Sequence, residues 1–385
     1  MLSGAGGRVS IAKLCIEPTI WEELRLELAR PFVGRWVEAK VVVLALIAGE
    51  HAVLFSEPGT AKTTMFKRLK RLVDARFFFY TLFPSTEVEE VLGPGREHID
   101  RFLPGAEIAV LDEIFNAPSQ LLNSLLELLA DRVIRMEGEE IEAPLWSCFA
   151  ASNWDPVETG RRELQALYDR FLFRHFVLPI PRESWRLLLR MYLARLAERG
   201  DERFAQVREV RTRVGIDWIR RESRRGLAEI ARSMDEEVLS MLEAAFEAAE
   251  SRGVTVTDRR KILSLKAVAA HALYRGASRV EPKDLVVLRF VLPRVRDDET
   301  QRIPAIFIEE PRLRVCVEEL EAELVEAVEL VEQLVLEGDP RAEKALACAC
   351  AWLTELEALS PTVTALRSRL IHAASFISAK SFAVA

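Results

Sequence analysis

The sequence predicts an α/β protein with a parallel-sheet core, an all-helical segment after it and a C-terminal helical bundle. Three observations carry the prediction. Short apolar strands alternate with helical stretches between Ala52 and Ile180, the pattern of a parallel sheet that binds ligands at its strand C-termini. The strand signal stops after Pro181, and the chain reads as helix up to about Leu292. Beyond Pro304, apolar residues such as Leu313, Val317, Leu320, Leu324 and Val328 recur by threes and fours with glutamates between them. On this reading residues 1–182 form the core, 183–303 the helical segment and 304–385 the bundle.

In chain order, Pro18 to Gly49 is helical, with Ile20, Leu24 and Leu28 on one face and apolar residues on most faces from Val37 to Ile47. AVLF (Ala52 to Phe55) is a short strand, and the loop after it opens a helix at about Thr63. FFFYTLF (Phe77 to Phe83) reads as a buried strand. Glycine and proline mark the section from Val91 to Gly105, and EIAVLDE then forms a strand ending in acids. Ser119 to Arg132 has helical period, and VIRMEGEEIEA reads as a hairpin around Glu137-Gly138-Glu139. WSCFAASN (Trp146 to Asn153) is another strand and FVLPI (Phe176 to Ile180) the last. After Pro304 a helix runs to Gly338-Asp339-Pro340, a second to Leu359, and a third begins after Ser360-Pro361. Three such helices make a small antiparallel bundle or coiled coil.

The chain has 385 residues, half of them hydrophobic, enough for two or three domains with a sizeable core. A formal charge of −7 argues against a protein that coats nucleic acid. Its five cysteines form no disulfide framework, and Cys348 and Cys350 point to different faces of a helix with no histidine at ligand spacing. The longest apolar run, Val41 to Ala48, is too short to span a bilayer, and the N-terminus lacks the apolar stretch of a secretion signal. A cytoplasmic location is expected.

The chemistry is concentrated in SEPGTAKT, Ser56 to Thr63. A phosphate-binding loop wraps backbone N–H groups around phosphate oxygens at a helix N-terminus, with a lysine on the outer phosphates and a hydroxyl on magnesium. Lys62 and Thr63 fill those two roles, Gly59 keeps the loop slim, but Ser56 and Ala61 stand where the pattern G-x-x-x-x-G-K-[ST] has glycines. About fifty residues on, Asp112 and Glu113 end an apolar strand, where one carboxylate organises a Mg²⁺ shell and the other polarises a water. Asn153 ends the next strand, and its amide can orient that same water. LYDRFLFR then places Arg170 and Arg174 one helical turn apart. Loop, acid pair, asparagine and arginine pair occur in order, at strand ends.

That layout resembles an AAA+ ATPase, a P-loop parallel-sheet core with an all-helical lid. SEPGTAKT resembles the G-[EP]-P-G-[TI]-A-K-[ST] of the MoxR family, in which alanine before the lysine is usual. LDEIFNAPSQLLNSLLELLADR is similar to the MoxR Walker B region, and FAASNWDP and ALYDRFLFR to its sensor-1 and arginine-finger segments, closest to the RavA subgroup. Val256-Thr257-Asp258-Arg259-Arg260-Lys261 resembles the sensor-2 segment of that subgroup. The resemblance covers roughly Pro18 to Pro293, and only Ser56 and a short Phe83–Pro104 section depart from it.

The resemblance implies that Ser56, Glu57, Pro58, Gly59, Thr60, Ala61, Lys62, Thr63 and Thr64 cradle ATP, with Thr63 and Asp112 on Mg²⁺. Glu113 would be the catalytic base and Asn153 sensor 1. Arg170 would reach into a neighbouring subunit's site, with Arg174 as second choice, and Arg259 would be sensor 2, with Arg260 as alternative. A trans arginine implies a ring, expected to be a homo-hexamer. The family further implies remodelling of a protein partner beside a von Willebrand factor A (vWA) domain protein. In the Phe83–Pro104 section, Arg96, His98, Arg101 and Phe102 are candidate substrate contacts or simply a polar loop. Two rivals remain. A DNA-translocating ring would need basic hairpins, whereas RMEGEEIEA is acidic; a nucleotide-gated scaffold with little turnover would rest on Ser56.

Overall fold

The computed structural model describes residues 9–136, 138–153, 162–199, 210 and 212–377. Five parallel strands form the central sheet: β1 (His51–Phe55), β2 (Phe77–Thr81), β3 (Ile108–Asp112), β4 (Ser147–Ser152) and β5 (Phe171–Phe176). Their spatial order is β2-β3-β4-β1-β5. The strand carrying Asn153 therefore lies between the strand that feeds the loop and the strand that ends in the acids.

Strand alternation sorts the core into two layers. Ala52, Leu54, Phe149 and Ala151 face one hydrophobic cluster, while Val53, Phe55, Cys148 and Ala150 face another. The first cluster contains helices α1 (Ile11–Ile16), α2 (Ile20–Ala29), α3 (Trp36–Ala48) and α4 (Lys62–Leu72). The second is closed by α5 (Ser119–Asp131), α6 (Arg162–Tyr168) and the hairpin Val133–Met136/Glu139–Glu142. Glu137, at the hairpin turn, lies outside the described residues, as does the Asp155-Pro156 turn after Asn153.

Two strand readings change. β2 is half-buried rather than buried, because it is the sheet's edge strand. The last strand is Phe171–Phe176, so Arg174 sits in a strand and not one helical turn from Arg170. LYDRFLFR carries both periods, and pairing with β1 decides for strand.

After β5 the described residues are almost wholly helical: α7 (Trp185–Arg199), α8 (Ile216–Ala231), α9 (Glu236–Ser251), α10 (Asp258–Arg275), then α11 (Ile303–Glu309). The final three helices, α12 (Pro311–Glu337), α13 (Ala342–Leu356) and α14 (Thr364–Phe376), pack on one another. Gly338, at φ 67°, caps α12 as expected of a helix-ending glycine. All thirteen residues of α3 are buried, because it lies between the sheet, the α8 and α10 helices and α13. A helix apolar on every side is what such a position requires. Its one lysine, Lys40, donates to both oxygens of Glu355 on α13 at 2.8 and 2.7 Å. None of the described helices is long and apolar enough to cross a membrane.

Candidate functional site

Phe55 ends β1, and Ser56–Ala61 turn the chain into α4, which begins at Lys62. Two residues of this turn need the left-handed region: Gly59 at φ 88° and Ala61 at φ 71°. Glycine adopts it freely, whereas Ala61 stores on the order of 1 kcal/mol there. No side chain caps the first amides of α4, so they are left to face the loop. Glu113, just past β3, is also left-handed at φ 53°, which turns its carboxylate back over the sheet edge.

The strand C-termini bring the predicted side chains together. Thr63 Oγ1 donates to Asp112 Oδ2 at 2.7 Å, the pairing expected of a hydroxyl and carboxylate that share a magnesium shell. Asn153 Nδ2 donates to Glu113 Oε1, and its Oδ1 accepts from Lys62 Nζ at 3.1 Å. Lys62 also donates to Ser56 O at 2.9 Å and to Ser56 Oγ, so all three ammonium protons are engaged. Burial pulls Lys62 below the usual lysine value while Glu113 and Asp112 act against it. Burial, and then Asp112, push the Glu113 carboxyl above the usual value of 4.5. A carboxylate raised in this way binds a proton more readily than an ordinary one, as a general base requires.

A cavity of about 730 Å³ opens over this cluster. Pro58 to Thr64, Asp112, Glu113 and Asn153 line it, whereas Ser56 and Glu57, at the start of the loop, do not. Its far walls were not legible from motifs: Phe32, Val33 and Arg35 between α2 and α3, Ile180 past β5, and Leu188 and Tyr192 on α7. The break Pro31-Phe32-Val33-Gly34, with Gly34 at φ 64°, was the available signal for the first group. Arg35 is held there by Glu38 Oε1 at 2.9 Å and Leu178 O at 2.8 Å.

The four arginines are not at this cavity. Arg170 precedes β5 and thus lies at the N-terminal edge of the sheet, about 15–20 Å of strand away from the loop edge. Arg259, at the start of α10, shares that edge with Arg170, Arg132 and His51, which opens β1. Burial, and then Arg259, pull the Arg170 guanidinium below its usual value. The Nε atoms of both Arg170 and Arg259 are buried without a hydrogen-bond partner among the described residues. Arg174 and Arg260 differ in kind. Arg174 donates to Phe171 O, Pro293 O, Tyr168 O and Asp169, and lies 3.8 Å over the Tyr168 ring. Arg260 donates to Leu172 O, Phe171 O and Val291 O, and burial pushes it down to about 9. Both staple β5 to the helices behind it.

In the Phe83–Pro104 section, Arg96 pairs with Glu139 of the hairpin, and Phe102 packs over Gly93, where a Cβ would come within 2.7 Å of its ring. His98 and Arg101 are exposed.

A MoxR domain model, described from MoxR-vWA-beta-propeller ternary systems, matches residues 21–211, which span the loop, the acids, Asn153 and Arg170. Residues 21–211 therefore carry a MoxR domain, the domain of MoxR-family AAA+ ATPases. Within reach of this MoxR chain, two uncharacterized proteins of Methanocaldococcus jannaschii, MJ0812 and MJ0079, are each 32% identical, covering 70% of this chain and 70% and 69% of theirs. The chaperone MoxR1 of Mycobacterium tuberculosis is 29% identical over 46% of this chain and 50% of its own. The crystal structure of a candidate ATPase from Cytophaga hutchinsonii shares the fold at a TM-score of 0.58 and 17% identity, covering 79% of this chain and 96% of that one.

The departure at Ser56 has a measurable consequence. Were ATP to bind at this loop, a phosphate oxygen would have to take over one of the Lys62 protons now held by Ser56 or Asn153. Ser56→Gly removes one of those acceptors and is expected to tighten ATP binding by up to about tenfold, the worth of one hydrogen bond. Nucleotide titration of the two proteins checks this.

Proposed function

We propose that this MoxR chain is an ATP-hydrolysing machine that works as a ring, expected to be hexameric, and remodels a protein partner in the cytoplasm. Residues 1–182 act as its nucleotide-binding core, 183–303 as its lid and 304–385 as an accessory bundle, an arrangement close to the RavA subgroup. The uncapped α4 N-terminus, the Thr63–Asp112 pair and the left-handed loop fit a nucleotide triphosphate with Mg²⁺. When bound, Mg²⁺ supplies charge neutralisation on the phosphate oxygens. Thr63 and Asp112 would hold it, Lys62 would bind the outer phosphates, and the Gly59–Thr64 amides would orient the chain of phosphates.

Glu113 takes the proton of the attacking water, and Asn153 fixes the Glu113 carboxylate by its amide hydrogen bond. Arg170 and Arg259 act on the pocket of another copy. The observation that carries this reading is the joining of loop, acids and asparagine in one hydrogen-bonded cluster under the cavity. The matched domain's description supports a vWA domain protein as partner, with a β-propeller protein as a third component.

Steady-state ATP hydrolysis tests it. Glu113→Gln is expected to lose turnover by roughly 10²–10⁴-fold while still binding ATP. Since the base form is needed and its pKa is raised, wild-type turnover should fall as pH drops through a value above 4.5. The glutamine variant should lack that limb. Wild type that binds ATP without hydrolysing it, even when assembled, would instead favour a nucleotide-gated scaffold, with Ser56 as its cause.

A further inference from the structure

The cavity over the strand ends is charged unevenly. Its acids, Asp112 and Glu113, stand at the loop end beside Lys62, where the outer phosphates of a nucleotide would lie. Away from the loop, Thr64, Lys67, Arg68 and Arg71 form one stripe along α4 and line the same cavity. At the helical rise, Lys67 and Arg71 stand about 4.5 and 10.5 Å further along the axis than Thr64. Arg68 fixes where this stripe lies. It donates to Glu27 Oε2 of α2 at 3.3 Å, and α2 runs on into Phe32 and Val33 of the apolar wall. The cationic stripe and the apolar wall therefore border the same part of the cavity, the part left for a nucleoside.

ATP gives that part no reason to be cationic, because its base and ribose are uncharged. Arg68 and Arg35 are neutralised in place, by Glu27 and by Glu38. Lys67 and Arg71 are not: no ion pair reaches either among the described residues. Glu27 is already shared between Arg68 and Arg30. Lys67 and Arg71 stand four residues apart on one helix, where like charges repel. Lys67 is exposed and Arg71 half-buried. Lys70 on the same helix differs, since it does not line the cavity and its ammonium lies 5.7 Å over the Phe79 ring. Two unpaired cations on a wall suited to a nucleoside are matched by a phosphate carried on the nucleoside itself.

We propose that Lys67 and Arg71 bind a phosphate on the ribose of a nucleotide, so that this cavity takes ribose-phosphorylated nucleotides as well as ATP. The inference rests on reading the cavity as an ATP site and adds a second class of ligand to it. A nucleotide with a 5′-diphosphate and a ribose phosphate fills the loop and the cationic stripe, but brings no γ-phosphate to Glu113 and Asn153. It therefore competes with ATP and holds the site without turnover.

Isothermal titration calorimetry of the full chain tests this with ADP, adenosine 3′-phosphate 5′-diphosphate and the 2′-phosphate isomer, each with Mg²⁺. At least one ribose-phosphorylated form is expected to bind roughly 10–100-fold more tightly than ADP, the contribution of one charge-assisted hydrogen bond. Lys67→Ala and Arg71→Ala should each shrink that ratio, and the double variant should bring it close to one. Lys70→Ala removes the same charge from the same helix outside the cavity and should leave the ratio alone. Equal affinities for all three nucleotides overturn the proposal. So does a ratio that Lys70→Ala lowers as much as Arg71→Ala, because the preference would then come from the general field of the helix. Inorganic phosphate added with ADP should not tighten ADP binding; if it does so as strongly as the attached phosphate, the stripe holds a free anion and the proposal fails. If ADP itself does not bind, the ATP reading falls first. If ADP binds and the ratio is one, that reading stands and only the ribose-phosphate site is lost.

Discussion

Arg170→Ala is expected to lower ATP turnover by roughly 10³–10⁵-fold, the range measured for arginines supplied in trans to other NTPases. Nucleotide affinity of the single subunit should be unchanged, since Arg170 lies at the sheet edge opposite the loop. The guanidinium is held in an expensive state: burial and the neighbouring Arg259 both disfavour its charge, and its Nε donates to nothing among the described residues. A buried donor left without a hydrogen-bond partner costs stability unless something later satisfies it. An anionic phosphate of a neighbouring site is the partner of the right sign. Arg174→Ala should behave differently, unfolding the β5 region rather than sparing assembly, because it removes donors to three backbone carbonyls and Asp169. Turnover, oligomer mass and melting temperature together separate the two arginines.

The second large effect concerns stability. Lys40→Met should cost about 3–5 kcal/mol in denaturant unfolding, because it leaves the Glu355 carboxylate buried without its main partner. Lys40 and Glu355 have side chains 0% and 2% exposed, and the ammonium also lies 3.9 Å over the Trp352 ring. Arg25, 3.8 Å from Glu355, is too far to replace the bond. Replacing both partners, Lys40→Met with Glu355→Leu, should recover much of the loss, as apolar substitutes for buried ion pairs often do. A pH dependence should accompany it. Burial brings Lys40 down to about 8, with Glu355 acting the other way, while the unfolded chain keeps the ordinary 10.5. Between those values the unfolded chain binds the proton and the folded one does not, so this group's contribution to stability rises with pH. Below about pH 8 it is constant, and the methionine variant should lack the rise.

The cluster of Lys62, Thr63, Asp112, Glu113 and Asn153 was legible because each residue type follows a short apolar strand, and parallel strands deliver their C-termini to one edge. The arginine edge was less so. LYDRFLFR fits helix and strand alike, and only its pairing with β1 puts Arg170 before the strand and Arg174 inside it. Nothing local distinguishes Arg259 from Arg260 either: one step along α10 turns the first outward and the second into carbonyls of β5. WRLLLRMYL misleads in the opposite sense, since its composition says core while the fold leaves it open. The cavity walls at Phe32, Val33 and Arg35 come from a loop whose chemistry is mostly shape, and shape has no short motif.

The central claim is that one copy's pocket is completed by another copy's arginine, and mixing two inactive variants tests it most directly. Glu113→Gln keeps Arg170 but has no base; Arg170→Ala keeps the base but has no arginine. In a randomly mixed ring roughly a quarter of the junctions would pair an intact pocket with an intact arginine, so ATP hydrolysis should return to about that fraction of wild type. If the mixture stays as inactive as its components while both still assemble, the two residues serve the same copy and the shared-site account is wrong.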